Sequence, residues 1–124
     1  MTECLILCSD LFFTSKVGGT AQMLGIKAET VMNPEQAGKI ISGNKNLKGL
    51  ILDLTVPGLN LEAFLDLVPQ KIKERTIAFG PHVEKEALDL ALKKGCALVL
   101  PRSQFSSDLP EILKKYFPAD EAGY

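Results

Sequence analysis

The run Gly49-Leu50-Ile51-Leu52-Asp53 offers water no face, because no polar side chain occurs in it before its last residue. Read as a strand, it sends successive side chains to opposite sides, so a run that is apolar throughout must be covered on both. Such strands belong in the middle of a parallel sheet clothed by helices on its two faces. In sheets of that kind, ligands and chemistry collect in the crevice outside the carboxyl ends of the strands. Asp53 stands at such an end.

The rest of the chain repeats the pattern. Cys4-Leu5-Ile6-Leu7-Cys8 reads as a first buried strand closed by Ser9-Asp10, which places a second carboxylate at a strand end. A weak helix is predicted from about Thr14 to Leu24, with Val17, Ala21 and Leu24 on one stripe and Gly25 as its C′ stop. Gly18-Gly19 inside it argues for a late or frayed start, since each glycine costs about 1 kcal/mol relative to Ala. Ile26 to Val31 alternates apolar with charged residues, as a strand nearer a sheet edge would. Asn33-Pro34-Glu35-Gln36 has the form of a capped helix start, with Ala37, Ile40 and Ile41 as the apolar face and Gly43 as the end.

Beyond the Asp53 strand, Asn60 can cap a helix whose Leu61, Phe64, Leu65 and Val68 follow one stripe, stopped by Pro69. Thr76 to Phe79 is a fourth strand ending at Gly80-Pro81-His82. A helix from about Glu84 to Lys94 ends in lysines and Gly95, which suits its dipole. Ala97 to Leu100 is a fifth strand, broken by Pro101. A last helix, capped by Ser106 or Asp108, packs through Leu109, Ile112, Leu113 and Tyr116. Five strands alternating with five helices predict a three-layer α/β sandwich with right-handed crossovers. One domain spans 1–117, and 118–124 is expected to be a loose tail.

Composition narrows the partners. Fourteen Lys and Arg against 15 Asp and Glu leave a net charge of -1, so no basic excess attracts nucleic acid. No run approaches the roughly 20 apolar residues of a membrane span, and the first strand follows Met1 without a basic n-region, so a cytoplasmic protein with no membrane partner is expected. Cys4, Cys8 and Cys96 lack the paired spacing of a zinc or redox motif and read as buried small hydrophobes.

With these elements in place, the chain resembles the response-regulator receiver domain over essentially its full length. Asp53-Leu54-Thr55-Val56-Pro57-Gly58 is similar to that family's D-x-x-x-P-G segment, and Leu100-Pro101 falls where the family has a Lys-Pro pair. The resemblance implies the (βα)5 flavodoxin-like, or CheY-like, sandwich with a five-stranded parallel sheet in the order 2-1-3-4-5. It also implies a signalling module of two-component type rather than an enzyme, in which the residue at Asp53 accepts a phosphoryl group. An acidic pair after the first strand would join it in holding Mg²⁺, while a Lys, a Ser or Thr and an inward-turning aromatic would complete the switch.

Carried over position by position, that set is incomplete. The acidic pair reads Ser9-Asp10, the hydroxyl position Gly80, the lysine position Leu100 and the aromatic position Ala97. Asp10 and Asp53, with the Thr55 carbonyl and water, remain as a possible weak Mg²⁺ site, with no cofactor required. Losing one charge contact to a phosphoryl group in a water-poor site is worth roughly 10² to 10³ in rate, and here both the Lys and the hydroxyl are missing. The chain therefore reads as an atypical, pseudo-receiver module, independent of phosphorylation and working by protein-protein contacts.

Two alternatives stand beside this one. Asp53 could still be a phosphoacceptor with Mg²⁺, or the domain could bind a small ligand, which the absence of a G-x-G-x-x-G loop after the first strand weakens. His82 has no Cys or Ser partner at a recognisable spacing and reads as structural. Arg102 is expected to be a solvated or partner-contacting charge, the other option being that it swings to the acidic cluster as a substitute cation. The surface of the fourth helix, fifth strand and fifth helix, carrying Lys93, Lys94, Arg102, Ser103, Gln104 and Lys114, is the expected contact face for a signalling protein or a second copy.

Overall fold

Every one of the five apolar runs forms a strand, and the strands lie side by side in one parallel sheet. The structure, a computed structural model, describes residues 2–118. Along the chain come β1 (Cys4–Leu7), α1 (Leu11–Met23), β2 (Ala28–Val31), α2 (Pro34–Gly43), β3 (Gly49–Asp53), α3 (Leu61–Leu67) and α4 (Gln70–Lys73). They are followed by β4 (Thr76–Gly80), α5 (Lys85–Lys93), β5 (Leu98–Pro101), α6 (Arg102–Ser107) and α7 (Leu109–Tyr116). The sheet order is β2-β1-β3-β4-β5, the doubly wound arrangement that the resemblance implies.

Burial follows the order. All residues of β1, β3 and β4 are buried, whereas β2 exposes Ala28, Glu29 and Thr30 and β5 is half-buried along its length. The inner strands divide their side chains between two cores. Leu5, Leu7, Leu50, Leu52 and Ala78 pack with Ala37, Ile41, Phe64, Leu65 and Ala91 on the side of α2, α3 and α5. Ile6, Cys8, Ile51, Ile77 and Phe79 pack with Phe13, Val17, Phe105, Leu109 and Leu113 on the side of α1, α6 and α7. Asp53 is two residues beyond Ile51 and so faces the second core.

The helix signals are met at several ends. The Asn33 side chain accepts from the Gln36 amide at 2.9 Å, with Pro34 as the first helical residue, and the Asn60 side chain accepts from the Ala63 amide at 3.1 Å. Gly25 and Gly95, at φ 76° and 98°, take the left-handed conformation that closes α1 and α5.

Four expectations need correction. Helix α1 starts at Leu11, not near Thr14, because Asp10 caps it and the buried stripe Phe13, Val17, Ala21 begins earlier than the glycines suggested. Pro69 ends α3 but also opens the single turn α4, which seats Ile72 in the core. Pro101 closes β5 from within, on an edge strand where a missing amide is tolerated. The last helix is two helices, α6 and α7, divided at Asp108, and neither Ser106 nor Asp108 makes a side-chain cap. Residues 119–124 of the expected tail lie outside the described residues.

Two glycines in this frame respond oppositely to an added methyl. At Gly49 a Cβ would meet the Arg75 carbonyl and, at 2.7 Å, both the Arg75 Cβ and the Phe117 ring, whereas at Gly18 it would meet nothing within 4 Å. Gly49→Ala is expected to lower stability by about 1–3 kcal/mol through overpacking, and Gly18→Ala to raise it by about 0.5–1 kcal/mol through helix propensity. Urea unfolding of the two variants checks both signs.

Candidate functional site

The carboxyl ends of β1, β3 and β5 bring three charged side chains together. Asp53 is 1% exposed, and burying a carboxylate is costly unless its oxygens are hydrogen-bonded and its charge is paired. Both conditions are met. Its Oδ1 accepts from the Thr55 amide at 2.9 Å and the Thr55 hydroxyl at 2.7 Å, a local turn set by a hydroxyl residue two positions on. Its Oδ2 accepts from the Cys8 thiol at 3.4 Å and from Arg102 Nη2 at 3.5 Å.

Asp10 does two jobs. Its Oδ1 caps α1 by accepting from the amides of Phe12 and Phe13 at 3.0 and 3.2 Å, and its Oδ2 accepts from Arg102 Nη1 at 2.9 Å. The Phe13 amide, followed by the Arg102 guanidinium, holds the Asp10 carboxyl below the usual carboxylate range. Burial acts the other way on Cys8 and pushes its thiol up to about 11, so it remains a protonated donor toward Asp53 at neutral pH.

Arg102, the first residue of α6, therefore bridges the two acids with separate prongs. The guanidinium lies 5.0 Å from the ring centroid of Phe13 and 5.6 Å from that of Phe79, a cation–π setting that desolvation strengthens. Phe79 in turn stacks on Phe105, with centroids 4.7 Å apart and planes 7° from parallel. Of the two roles weighed for Arg102, the geometry is that of the option in which it reaches the acidic cluster, with the side chain still 32% exposed. The side chain is folded inward.

The remaining sequence-derived positions separate. Leu100 pairs with Phe79 in the sheet and packs into the second core, on the side that Asp53 faces, so an apolar side chain sits where the resemblance has a lysine. Gly80 is buried, and a Cβ there would meet the Leu54 side chain at 3.3 Å. Ala97 is exposed and precedes β5; Ser9 is half-buried in the loop after β1. His82 is exposed beside Phe13, Pro81, Arg102, Ser103 and Ser106 at the rim of the site. Lys94 is tied to Glu62 and Asp66 at 3.3 and 2.9 Å, which leaves Lys93, Ser103, Gln104 and Lys114 as the exposed members of the expected contact face.

Sequence reasoning missed the Cys8 contact and the aromatic bed of Phe13, Phe79 and Phe105. The signals were present: Cys8 sits at the carboxyl end of β1, next to the Asp53 strand, and Phe13 begins the Val17–Ala21 stripe. A divalent ion is the group that the receiver fold implies here. The residues do not fit it as they stand, since all four oxygens of Asp10 and Asp53 already accept from protein donors, one of them a cation. Among the described residues, no group of three or more His, Cys, Asp or Glu is arranged to hold a metal.

No protein-family model matches the chain, and no curated protein matches it by sequence. Solved structures do match. The receiver domain of the Francisella response regulator 1452 is 19% identical, with a TM-score of 0.75 over 94% of this chain and 97% of that one. The receiver domain of NtrX from Brucella abortus is 16% identical, with a TM-score of 0.73 over 95% and 100% of the two chains. The phosphorylated cyanobacterial phytochrome response regulator RcpA is 9% identical, with a TM-score of 0.78 over 94% of each. The chain thus has the fold of response-regulator receiver domains. No helix among its described residues is long and apolar enough to cross a membrane.

The Asp10 geometry fixes a pH dependence. A carboxyl with a depressed folded pKa contributes stability that is present above its unfolded value, near 3.8, and is lost as pH falls through the folded value. The Asp10 carboxyl resonance is therefore expected to titrate below the ordinary range in wild type. In Arg102→Gln its midpoint is expected to rise only part of the way, because the Phe13 and Phe12 amides remain. Carboxyl-detected NMR titration of the two proteins checks this.

Proposed function

We propose that the chain is an atypical receiver-like signalling module, independent of phosphorylation, that acts through protein contacts. The observation that carries this reading is the occupancy of Asp53: both oxygens accept from donors, and Arg102 lies on the one that Thr55 leaves. To face an incoming phosphorus, Asp53 Oδ2 would have to give way in its contacts with Cys8 and Arg102. Gly80 supplies no hydroxyl to read a phosphoryl group, Leu100 supplies no charge, and Ala97 has no ring to turn inward.

The contact surface in this reading runs along the β5 edge. Leu98 and Leu100 are half-buried there, flanked by Gln104 and Tyr116 and by the charged Asp108, Glu111 and Lys115, and Lys93, Ser103 and Lys114 are exposed. An edge strand with apolar side chains and a polar rim suits a signalling partner or a second copy of the chain. No catalytic role is assigned to any residue, His82 included. A cytoplasmic setting accords with this reading.

A second reading has one observation in its favour. Arg102 Nη2, at 3.5 Å from Asp53 Oδ2, could turn to face phosphoryl oxygens and serve a phosphoacceptor Asp53 with Mg²⁺. Beryllofluoride, an aspartyl-phosphate mimic, separates the two. With Mg²⁺ and beryllofluoride, the amides of residues 53–56 and of α7 are expected to keep their free-state NMR positions. Shifts that start at Asp53 and spread into α7 would overturn the proposal in favour of the second reading.

A further inference from the structure

We propose that Arg102 is the resident cation of this site, standing where the fold implies a divalent ion and competing with such ions for the same oxygens. The inference extends the phosphorylation-independent reading to the metal, and rests on that reading only for its consequence in signalling.

Three features of the geometry converge on it. The two prongs of one guanidinium reach Asp10 Oδ2 at 2.9 Å and Asp53 Oδ2 at 3.5 Å, so a single positive group serves both acids, as a bridging cation would. The other two oxygens are directed elsewhere by short-range bonds, Asp10 Oδ1 to the start of α1 and Asp53 Oδ1 to Thr55. The guanidinium is also held from below by the faces of Phe13 and Phe79, and the backbone it springs from is fixed by Pro101 in the sheet and by Phe105, which is fully buried.

Ion chemistry then sets the competition. Mg²⁺ sheds water reluctantly and wants near-octahedral oxygen ligands. To take these oxygens it must displace a charged donor already bonded to them. Without Arg102 the two carboxylates would have no basic group among their present hydrogen-bond partners, and a divalent ion would offset their charge. The guanidinium is tethered to the chain, so its own presence at the site does not depend on the ions in solution, and a metal has to outcompete it.

The experiment is a backbone-amide NMR titration with magnesium chloride alone, without beryllofluoride, so that its outcome is read separately from the phosphorylation question. Wild type, Arg102→Met and Arg102→Lys are compared at the amides of Phe12, Phe13 and Thr55. Wild type is expected to show small shifts that do not saturate at millimolar Mg²⁺. Arg102→Met is expected to saturate with an affinity roughly tenfold or more tighter, with Arg102→Lys between them. Millimolar Mg²⁺ should also raise the thermal midpoint of Arg102→Met and leave that of wild type unchanged.

Saturation of wild type with the affinity of Arg102→Met would overturn the proposal, because the guanidinium would then be no competitor. Variants as inert as wild type would overturn it as well. Should Arg102→Met fold only when Mg²⁺ is added, the proposal is supported directly. Should it not fold at all, the wild-type titration and Arg102→Lys decide: a saturable wild type, or a lysine variant no more responsive than wild type, overturns it.

Discussion

A carboxylate sealed inside a protein must find donors, and the site around Asp53 is built from that requirement. At 1% exposure Asp53 has little recourse to water, so each lone pair that is left unmatched carries the desolvation penalty of a charged group. The donors come from three separate stretches of chain. Thr55 supplies two from the turn that follows β3, Cys8 supplies one from the end of β1, and Arg102 supplies one from the start of α6. The parallel sheet is what makes this convergence possible, because strands that run in one direction deliver all their carboxyl ends to one edge.

Sheet order then explains the choice of arginine. Strand β1 is a direct neighbour of β3, so Cys8 needs only a short side chain to reach Asp53, whereas β5 lies two strands away with β4 between them. A cation launched from β5 or its sequel has to cross Phe79, the residue that pairs with Asp53 on β4. Arg102 does so by lying over the rings of Phe79 and Phe13. Its length and its flat, weakly hydrated head suit that path better than the compact, strongly hydrated ammonium of a lysine.

Much of the fold was legible because its signals are local. Unbroken apolar runs marked the buried strands, alternation marked β2 as an edge, and Asn33, Asn60, Gly25 and Gly95 marked helix ends by side-chain or backbone preferences that need no tertiary partner. The misreadings occurred where packing overrode those preferences. Gly18-Gly19 argued for a late α1, yet the cap from Asp10 and the burial of Phe13 start the helix at Leu11. Nothing local announces the turn α4 or the division of the last helix, which are set by seating Ile72 in one core and Phe105 in the other. At the site the acids were legible from their strand ends. The inward fold of Arg102 was open only as the second option, since the rings that hold it come from residues 13 and 79, both distant in sequence.

Leu100, Ser9 and Arg102 belong to one electrostatic arrangement. Leu100 packs half-buried against the apolar core beside Phe79, so this position brings no charge to the site. Ser9 is uncharged, which leaves Asp10 and Asp53 as the acids that Arg102 offsets. One arginine reaching both remaining acids can then do the offsetting, without any ligand taken from solution. A site balanced in this way carries its cation on its own covalent chain. On the proposed reading, what varies in a signalling role is the partner that meets the β5 edge.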